Sequence, residues 1–520
     1  MPGSRQVVVV GSGAAGMAAA VAAAGEGAAV TVLEAAARLG GTTATSGGGA
    51  WFPANPWAAA EGVEDSGDQA LRYLEALGEE SRLPPLATAF VRESTRVARL
   101  IEARTALRWG HLNGRPDYHP ELDGASVGGR SVEIHPVQVL AEARALVRDD
   151  PYGSPPISLV ESESASPPDA AELARRVREG VTARGSGLIA GLTAALLDRG
   201  GTVRTGVRVT ELVRSGDAVT GVRVDGTEIR GSVILANGGF ERNAAFVAAY
   251  LRGPMVAPAG PPTNVGDALR MGLAAGAGVA NMSEAWWVAA THVPGETIDG
   301  APFFRMLFTE PPQPGGIVVD STGRRFANEA VSYYAFGRAL HEHNENTVNH
   351  ARVPSWLVFD SVRRHEGIGP LSADGSDPDW LSRAAGLRGL AASIGVPADT
   401  LAGTVERFNA GAADGADEQF GRGSFEWERR RYPHGTLRPL SEPPFYAFRV
   451  LPGASGTNGG LCTDEHGRVL RLADGAPVPG LHAAGNAAAY MAGARYPGPG
   501  ATIGPALVFG WRAGEAAARG

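Results

Sequence analysis

An apolar strand followed directly by regularly spaced glycines is the feature that most restricts how this chain can fold. Residues 6–10 are Gln-Val-Val-Val-Val, a run typical of a buried parallel strand. The turn at residues 11–16 has the spacing Gly-x-Gly-x-x-Gly and leads into an alanine-rich helix, predicted from Met17 to Gly25. A second apolar strand ends on Glu34, 18 residues after the last glycine. The pattern predicts a βαβ unit whose glycines approach a pyrophosphate and whose acid accepts from ribose hydroxyls.

The composition is that of an ordinary globular protein and excludes several classes of function. Of the 520 residues, 44% are hydrophobic and 20% are charged. The net charge of −8, with no basic face evident in the sequence, argues against a nucleic-acid partner. All 47 basic side chains are arginine, which excludes a Schiff-base lysine and a Walker-type phosphate loop. The single cysteine, Cys462, excludes an intrachain disulfide, and no metal site is predicted.

Hydropathy and the first residues of the chain predict where the protein is found. No stretch reaches the ~18 uninterrupted apolar residues that a membrane-spanning helix needs, so no transmembrane segment is predicted. The chain enters its first strand at Gln6, which leaves no room for a signal peptide. We therefore expect a cytoplasmic protein, with peripheral association with a membrane left open. The sequence does not assign an oligomeric state.

The glycine-rich segment at residues 38–49 favours FAD over NAD. It follows Glu34 closely, and its small residues would let the backbone approach a flat, bulky ring system. An acid rather than an arginine at the end of the second strand disfavours a 2′-phosphate. A flexible Gly/Ser linker is the alternative interpretation of this segment. Because residues 40–49 contain no histidine, the predicted FAD is non-covalent.

The remaining pattern predicts that one domain is interrupted by another. Residues 207–213 and 218–224 resemble a hairpin, and residues 233–240 resemble a buried strand that ends in a glycine turn. An aromatic-rich insert begins near residue 280, and residues 479–486 then resume the strand-and-glycine pattern. The predicted fold is α/β, a Rossmann-like FAD-binding domain with a parallel sheet, interrupted by an α+β substrate-binding, catalytic domain. The predicted FAD-binding parts are 1–280 and 449–520, and the predicted catalytic domain is 281–448.

A phenol precedes a Pro/Gly turn near the end of the chain. The segment Tyr496-Pro-Gly-Pro-Gly500 enters an apolar, helix-like run from Ala501 to Trp511. Such a turn leaves backbone N–H groups free at the start of a helix, where the helix dipole favours negative charge. A tyrosine beside these donors could polarise a carbonyl group.

Together these segments resemble the flavoproteins of the fumarate reductase/succinate dehydrogenase superfamily, and within it the 3-ketosteroid Δ1-dehydrogenases. The superfamily resemblance covers nearly the whole chain, and the turn after Tyr496 is its most specific motif. The motifs that carry the narrower resemblance are residues 40–48 with Trp51, 117–121, 236–243, 284–287, 323–330 with Tyr333, and 496–505.

The resemblance implies a mechanism in which phenols act on the A ring of a 3-ketosteroid. Tyr496 and the backbone N–H of Gly500 would hydrogen-bond the ring ketone and favour its enolised form. Tyr333, assisted by Tyr118, would accept the acidified proton of carbon 2, and the hydride on carbon 1 would leave for flavin N5. A tyrosine with a pKa near ~10 is a weak base unless a neighbour stabilises its phenolate, and Tyr118 offers one such route.

The cofactor-binding residues are predicted partly from these turns and partly from the resemblance. Beyond the glycine turn and the acid, they lie in the glycine-rich segment, around the hairpin and near the C-terminal turn. The predicted residues are Gly11, Gly13, Ala14, Ala15, Gly16, Glu34, Gly41, Thr42, Thr43, Ser46, Gly47, Gly48, Val209, Asn237, Gly238, Gly485, Asn486, Thr502 and Ile503.

Several interpretations stay open at the level of sequence. The segment Ala487-Ala-Ala-Tyr490 departs from the small hydroxyl residues usual in this family, and the substrate could be a related fused-ring ketone other than a steroid. A fumarate-reductase-type enzyme would need cationic residues where this chain has Tyr-Pro-Gly-Pro-Gly, and a non-catalytic flavin- or sterol-binding protein is a further alternative. His119 and Glu329 are interpreted as structural. The expected partners are a small apolar ketone and an external quinone or dye-like electron acceptor.

Overall fold

The structure is a computed structural model, and it describes residues 5–78, 85–343, 349–350 and 352–520. The chain divides into two compact units, each assembled from separate stretches of sequence. The first unit comprises Met1–Asn243, Pro261–Glu284 and Gly456–Gly520, and the second comprises Ala244–Gly260 and Ala285–Ser455.

Both units contain strands and helices. The strands are β1 (Gln6–Val10), β2 (Ala29–Leu33), β3 (Ala50–Trp51), β4 (Trp109–His111), β5 (Ser131–Ile134), β6 (Val137–Gln138), β7 (Val181–Thr182), β8 (Thr202–Arg204), β9 (Glu211–Ser215), β10 (Ala218–Val224), β11 (Thr227–Arg230), β12 (Ser232–Leu235), β13 (Ala257–Pro258), β14 (Val279–Ala280), β15 (Ala285–Ile298), β16 (Ala301–Met306), β17 (Gly316–Val319), β18 (Ser355–Phe359), β19 (Ser382–Ala384), β20 (Phe445–Thr457), β21 (Gly460–Leu461), β22 (Arg468–Leu470) and β23 (Pro477–Ala483).

The helices vary from single turns to five turns. They are α1 (Ala14–Gly25), α2 (Pro56–Ala60), α3 (Gly67–Ala76), α4 (Pro85–Arg104), α5 (Ala141–Leu146), α6 (Leu159–Glu163), α7 (Ala170–Glu179), α8 (Arg184–Asp198), α9 (Ala244–Tyr250), α10 (Asp267–Ala274), α11 (Tyr333–Ala339), α12 (Ser361–Glu366), α13 (Leu387–Ile394), α14 (Ala398–Ala413), α15 (Glu426–Arg431) and α16 (Ile503–Arg519). Within the described ranges, no helix is long and apolar enough to cross a membrane.

A six-stranded sheet forms the centre of the first unit, in the order β22-β23-β12-β1-β2-β8. β1 lies parallel to both β2 and β12, so that Val8 faces Thr31 on one side and Val233 on the other. Only β22 runs antiparallel to its neighbour. Residues 7–10 are at most 3% exposed, which explains their unbroken run of valines. The predicted α/β fold with a parallel sheet and a βαβ unit is confirmed.

The last helix of the chain packs closely along the first. A Cβ atom added at Gly510 would lie 2.3 Å from the carbonyl oxygen of Ala15, and one added at Gly514 would lie 2.2 Å from that of Ala19. The two glycines are four residues apart and therefore share one face of α16. This close approach places the middle of α16 against the first two turns of α1.

The second unit contains a seven-stranded sheet with both faces covered. Its main order is β16-β15-β20-β18-β17, and β13 and β19 also pair with β20. Along β17 the side chains alternate, so that Ile317 and Val319 join a core cluster that contains residues of α13 and α14. Val318 points to the other cluster, which contains Phe336 of α11. This alternation explains why the strand is apolar at every position.

Several predicted element boundaries are wrong. α16 runs from Ile503 to Arg519 rather than from Ala501 to Trp511. α1 begins at Ala14 rather than Met17, because the extended Gly13 already occupies the N-cap position. The first strand of the predicted hairpin begins at Glu211 rather than residue 207, because Val207 instead donates its N–H to the carbonyl of Glu34. The predicted domain boundaries at residues 280 and 448 stay a prediction.

Candidate active site

The turn between β1 and α1 requires glycine at two positions. Gly11 has φ +98°, and a Cβ atom there would lie 2.5 Å from the carbonyl oxygen of Ala236. A Cβ atom at Gly16 would lie 2.1 Å from the carbonyl oxygen of Gly11. At Gly13 the nearest atom to an added Cβ is the hydroxyl oxygen of Thr43, at 3.7 Å, so this position has space beside it. The turn is therefore packed tightly against the protein on one side and has space at its middle glycine.

Glu34 lies at the end of β2 with its carboxylate already partly occupied. One oxygen accepts from the Ser12 N–H at 3.1 Å and from the Ser12 hydroxyl at 2.6 Å, and the other accepts from the Ala36 N–H at 2.8 Å. A carboxylate has about four lone-pair sites, so one more donor, such as a ribose hydroxyl, can be accommodated. The Ser12 hydroxyl also accepts from the Gly40 N–H, which ties the acid to the glycine-rich segment.

The glycine-rich segment forms a wall beside the turn. The Thr43 hydroxyl accepts from the N–H of Ala14 at 3.1 Å, so it fixes the wall to the first residue of α1. A Cβ atom at Gly41 would have the Cα of Gly13 as its nearest neighbour, at 3.8 Å. At Gly48, φ is +75°, and a Cβ atom would lie 2.5 Å from the backbone of Arg184. The wall is therefore an ordered part of the fold, which excludes the flexible-linker interpretation.

The wall also contains the three remaining candidates of this segment, Thr42, Ser46 and Gly47. The Ser46 hydroxyl donates to the carbonyl of Thr43 at 2.7 Å and accepts from the N–H of Gly48. The Thr42 hydroxyl accepts from the side-chain amide of Asn264 at 3.4 Å. At Gly47, a Cβ atom would lie 2.9 Å from the side chain of Leu159. These contacts attach the wall to Asn264 and pack it against Leu159.

Asn237 and Gly238 lie beside the same turn. A Cβ atom at Gly11 would lie 2.5 Å from the Cα of Asn237. The side-chain oxygen of Asn237 is buried and has no hydrogen-bond partner among the described residues. Gly238 has φ +79°, and a Cβ atom there would lie 2.6 Å from Asn264. An unsatisfied buried acceptor next to a glycine turn fits a polar ligand that donates a hydrogen bond there.

The other predicted cofactor residues also lie in the first unit. Val209 is buried and follows the segment that runs beside the end of β2. Gly485 begins a single 3₁₀ turn that contains Asn486, and its added Cβ would lie 3.0 Å from the Cβ of Ala15. Thr502 and Ile503 form the start of α16. The arrangement of turn, acid, wall and orphaned acceptor fits a dinucleotide.

Two candidate phenols lie together in the first unit. Tyr118 and Tyr496 are 5% and 6% exposed, and their ring centroids are 5.4 Å apart in an edge-on arrangement. The N–H of Tyr118 donates to the carbonyl of Pro497 at 2.9 Å. The loop that carries one phenol is therefore attached directly to the turn that follows the other.

The carbonyl groups of Pro499 and Gly500, in the turn after Tyr496, accept hydrogen bonds from other segments of the chain. The Gly500 carbonyl accepts from the N–H of Trp51 at 3.0 Å, and the Pro499 carbonyl accepts from the hydroxyl of Ser131 at 2.6 Å. Gly500 has φ +83°, and an added Cβ would lie 2.6 Å from the Gly49 carbonyl. Within the described part of the chain, no acceptor is paired with the Gly500 N–H. This donor is available to a ligand.

Tyr333 belongs to the second unit, where it is the first residue of α11. Its half-buried ring packs against a small cluster of Ala259, Val288 and Met306, and Phe308 meets it edge-on with ring centroids 4.8 Å apart. The adjacent Tyr334 is only 7% exposed and lies in the core. The two neighbouring tyrosines thus differ in environment, and Tyr333 has the more accessible ring.

The residues interpreted as structural make structural contacts. Glu329 is 1% exposed and accepts from the Arg325 guanidinium at 2.6 Å and 2.8 Å. The half-exposed His119 side chain lies 3.0 Å from the carboxylate of Glu121. Sequence analysis missed a third buried phenol, Tyr73, and the buried cation Arg130, which both contact the Tyr118 region. Neither residue lies in a recognisable sequence pattern, so no local signal points to them.

Comparison with known sequences identifies the family. The FAD binding domain family matches residues 6–503. The chain is 39% identical to a 4-oxocyclohexanecarboxylate 2-dehydrogenase of Sinomonas cyclohexanicum, over 89% of this chain and 84% of that protein. It is 34% identical to a 3-oxosteroid 1-dehydrogenase of Mycobacterium tuberculosis, over 98% of this chain and 97% of that protein.

Comparison with solved structures agrees. The chain is similar to the 3-ketosteroid Δ1-dehydrogenase of Sterolibacterium denitrificans, solved in complex with 1,4-androstadiene-3,17-dione. The TM-score is 0.89 at 33% identity, and the match covers 99% of this chain and 100% of that one. The predicted resemblance and the predicted FAD are confirmed. The chain therefore belongs to the FAD binding domain family, as an FAD-dependent oxidoreductase related to the 3-oxosteroid 1-dehydrogenases.

Proposed function

We propose that the protein removes two hydrogens from adjacent carbons beside the carbonyl group of a cyclic ketone, and that this ketone is a 3-ketosteroid. The product has a new double bond between carbons 1 and 2 of the A ring, conjugated with the ketone. The 3-oxosteroid 1-dehydrogenase relative aligns with almost the whole chain, which supports this substrate class.

One observation carries the proposal. Two buried phenols, Tyr118 and Tyr496, lie edge-on beside a turn whose Gly500 N–H has no acceptor among the described residues. A phenol and a backbone N–H form a neutral pair of donors for a carbonyl oxygen. Neutral donors suit a ketone, because no cation has to be buried in an apolar site.

The Tyr496 hydroxyl and the Gly500 N–H would both donate to the ketone oxygen. As the α carbon loses its proton, negative charge builds up on that oxygen, and fixed donors stabilise this charge more than that of the ground state. FAD, when bound, supplies the acceptor for the hydrogen and the electron pair that leave carbon 1. The residues that would hold it are the glycine turn, Glu34, the wall and Asn237.

Tyr333 would accept the proton from carbon 2, and Tyr118 would assist it. A phenol with its ordinary pKa near ~10 is almost entirely protonated at neutral pH, so the phenolate needs a stabilising neighbour. A second phenol can donate a hydrogen bond to a phenolate and thereby favour it. Tyr333 itself is half-buried in the second unit, next to Ala259, Val288 and Met306.

A monocyclic keto acid is the second candidate substrate. The 39% identity to a 4-oxocyclohexanecarboxylate 2-dehydrogenase favours it, although that match covers less of the chain. The reaction type would be the same, since both molecules carry a ketone with hydrogens on the neighbouring carbons. A carboxylate in the substrate would need a cationic partner, which a neutral steroid does not need.

The two candidates are separated by mixing the FAD-loaded protein with each ketone under anaerobic conditions. Androst-4-ene-3,17-dione and 4-oxocyclohexanecarboxylate are the probes, and bleaching of the flavin absorbance in a single turnover is the measurement. Rapid bleaching by the steroid, followed by reduction of an added dye, is the expected result. Bleaching by the keto acid alone would transfer the proposal to the second candidate, and no bleaching by either would refute it.

Tyr496→Phe tests the role of the carbonyl donor. Removing one such donor lowers kcat by about 10²–10³-fold, and FAD should stay bound. Tyr446→Phe is the matched control, because Tyr446 is a buried phenol stacked on Phe359 in the core of the second unit. A Tyr496→Phe enzyme with the wild-type rate would show that this phenol has no part in polarising the ketone.

The attachment of FAD and the electron acceptor complete the proposal. We expect FAD to be non-covalent, because the wall contains no histidine. Precipitating the protein with acid should therefore release all flavin into the supernatant. An external quinone or dye-like acceptor would take up the electrons, and the protein would be cytoplasmic.

A further inference from the structure

The turn that carries the proposed carbonyl donors is held by a residue far away in sequence. The Tyr73 hydroxyl, on α3, donates to the carbonyl of Pro497 at 2.7 Å. The same hydroxyl accepts from the backbone N–H of His119 at 3.2 Å. Tyr73 is fully buried, so this bridge is protected from water. One phenol thus joins the residue after Tyr496 to the residue after Tyr118.

A buried arginine and carboxylate fix the other side of the Tyr118 loop. The Asp117 carboxylate accepts from Trp51 Nε1 at 2.8 Å and from the N–H of Ser126 at 2.9 Å. It also pairs with the guanidinium of Arg130. Arg130 in turn forms two hydrogen bonds to Asp65, at 2.7 Å and 2.8 Å. Both Asp117 and Arg130 are fully buried.

Trp51 connects these contacts to Gly500. Its indole N–H donates to Asp117, while its backbone N–H donates to the carbonyl of Gly500 at 3.0 Å. The guanidinium of Arg130 lies 5.6 Å from the centre of both the Trp51 ring and the Tyr73 ring. The loop before Tyr118 and the turn before Gly500 therefore share one set of buried supports.

We propose that Tyr73, Asp117 and Arg130 are positioning residues that hold Tyr118, Tyr496 and the Gly500 N–H in the arrangement that binds the ketone oxygen. This inference rests on the proposed function. None of the three residues needs to touch the substrate. They act through the backbone, by fixing the distance between the loop of Tyr118 and the turn of Gly500.

The chemistry of Tyr73 suits a fixed donor. Burial, with the nearby Asp117 carboxylate adding to it, raises the pKa of Tyr73 well above its usual range. The hydroxyl therefore keeps its proton at neutral pH, where it can donate its hydrogen bond to Pro497. Displacing a catalytic donor by about 1 Å can cost about a hundredfold in rate, so small shifts of this turn matter.

Tyr73→Phe removes the bridging hydroxyl and leaves the ring. We expect kcat per bound FAD to fall by about ten- to a hundredfold, with little change in KM for the ketone and in FAD occupancy. Tyr446→Phe, which removes a buried phenol from the second unit, should lose similar thermal stability but keep its kcat. A purely structural role for Tyr73 would lower stability and leave kcat per FAD at the control value, and that result would overturn the inference.

Hydrogen exchange gives a second measurement that does not depend on turnover. In the FAD-loaded protein, Tyr73→Phe should accelerate amide exchange at Ala501 and Gly504, whose N–H groups donate to the carbonyls of Gly498 and Gly500. Asp117→Asn should accelerate exchange at the same amides through Trp51. Unchanged exchange at both amides in both variants would overturn the inference, even if the rate fell. If no ketone reduces the wild-type flavin, the proposed function fails, while the exchange data still decide whether these residues hold the turn.

Discussion

Each unit contains a buried cluster of arginine and carboxylate groups with one member near a tyrosine in the chain, and the two clusters differ in their balance of charge. The first cluster consists of Asp65, Asp117 and Arg130, and Asp117 directly precedes Tyr118 in the chain. The second cluster consists of Arg325, Glu329, Asp417 and Arg422, and Glu329 lies four residues before Tyr333 in the chain. In the first cluster one arginine forms ion pairs with two carboxylates, whereas in the second cluster the carboxylate of Glu329 forms ion pairs with two arginines.

This difference sets the direction of the pKa shifts. Burial raises the pKa of the Asp117 carboxyl, and the Arg130 charge offsets this only in part. Burial also acts to raise the pKa of Glu329, but the charge of Arg325, with Arg422 adding to it, outweighs burial and holds the pKa below the usual range. A buried carboxylate is therefore stabilised only when enough cationic charge and hydrogen bonding faces it.

The hydrogen bonds that hold the segments around Tyr118 and Tyr333 also differ. Around Tyr118, hydrogen bonds reach the backbone of the loop itself and of the turn at Pro497–Gly500. In the second unit, Glu329 accepts from the N–H of Val318 on β17 and so fixes the loop before α11. Tyr333 itself begins a helix of two turns and lies half-buried. The backbone around Tyr118 and Gly500 is thus held by several buried hydrogen bonds, whereas the proposed base begins a short helix.

The largest expected effect on kcat is in the second unit, at Tyr333. Tyr333→Phe removes the proposed proton acceptor, and general-base catalysis typically contributes about 10²–10⁴-fold to kcat. FAD should remain bound, since Tyr333 lies outside the unit that contains the glycine turn. Single-turnover flavin reduction by the ketone is the measurement. A rate within tenfold of wild type would assign the proton to another group.

On the first-unit side, Gly500→Ala should lower kcat by about 10²–10³-fold through loss of one aligned carbonyl donor. The added Cβ would lie 2.6 Å from the Gly49 carbonyl and 2.7 Å from the N of Ala50, so the turn must move. Gly435→Ala is the matched control, because Gly435 also has a φ of +83° but an added Cβ there would meet nothing within 4 Å. Equal losses in both variants would contradict a special role for the Gly500 N–H.

The two clusters should respond differently to neutralising one acid. Glu329→Gln removes a partner from a buried ion pair and should cost about 3–5 kcal/mol in the free energy of unfolding at pH 7. Asp117→Asn should cost less, about 1–3 kcal/mol, because burial already disfavours the charged form of Asp117. Urea unfolding of the FAD-free proteins measures both values.

The pH dependence of these costs has opposite signs. The folded-state pKa of Glu329 lies below its ordinary value of 4.5, so its contribution to stability is present above that pH and is lost as the pH falls further. The folded-state pKa of Asp117 lies above its ordinary value of 3.8, so ionisation above that pH reduces stability. The cost of Glu329→Gln should therefore fall on acidification, and that of Asp117→Asn should rise. Parallel pH profiles would contradict the comparison.

The smallest effect is expected next to the proposed base. Tyr334→Phe should leave kcat near the wild-type value, since Tyr334 is 7% exposed and lies in the core rather than at the accessible position. Steady-state assays of Tyr334→Phe beside Tyr333→Phe make the measurement. A strong loss in Tyr334→Phe and none in Tyr333→Phe would exchange the roles of the two phenols.

Much of the cofactor site could be predicted from the sequence because its signals are local. A valine strand, three spaced glycines and an acid at the next strand end predict a βαβ unit wherever they occur together. The sequence predicts a start of α1 that is three residues too late, because Gly13 at the N-cap has no side chain that could form a capping hydrogen bond. The predicted first strand of the hairpin also begins too early, because the Val207 N–H donates to the carbonyl of Glu34, far away in sequence, rather than to a neighbouring strand of the hairpin.

The sequence by itself determined the parallel sheet and the FAD cofactor, because strand periodicity and glycine spacing are read within a few residues. Its short motifs also predicted the tyrosines at positions 118, 333 and 496 as site residues. Only the tertiary structure decided what holds those tyrosines. Tyr73 and Pro497 are 424 positions apart, yet one hydrogen bond joins them. Arg130 and Asp65 are 65 positions apart and form a buried pair. Such partners leave no local pattern, because burial and distance arise only when separate segments pack together.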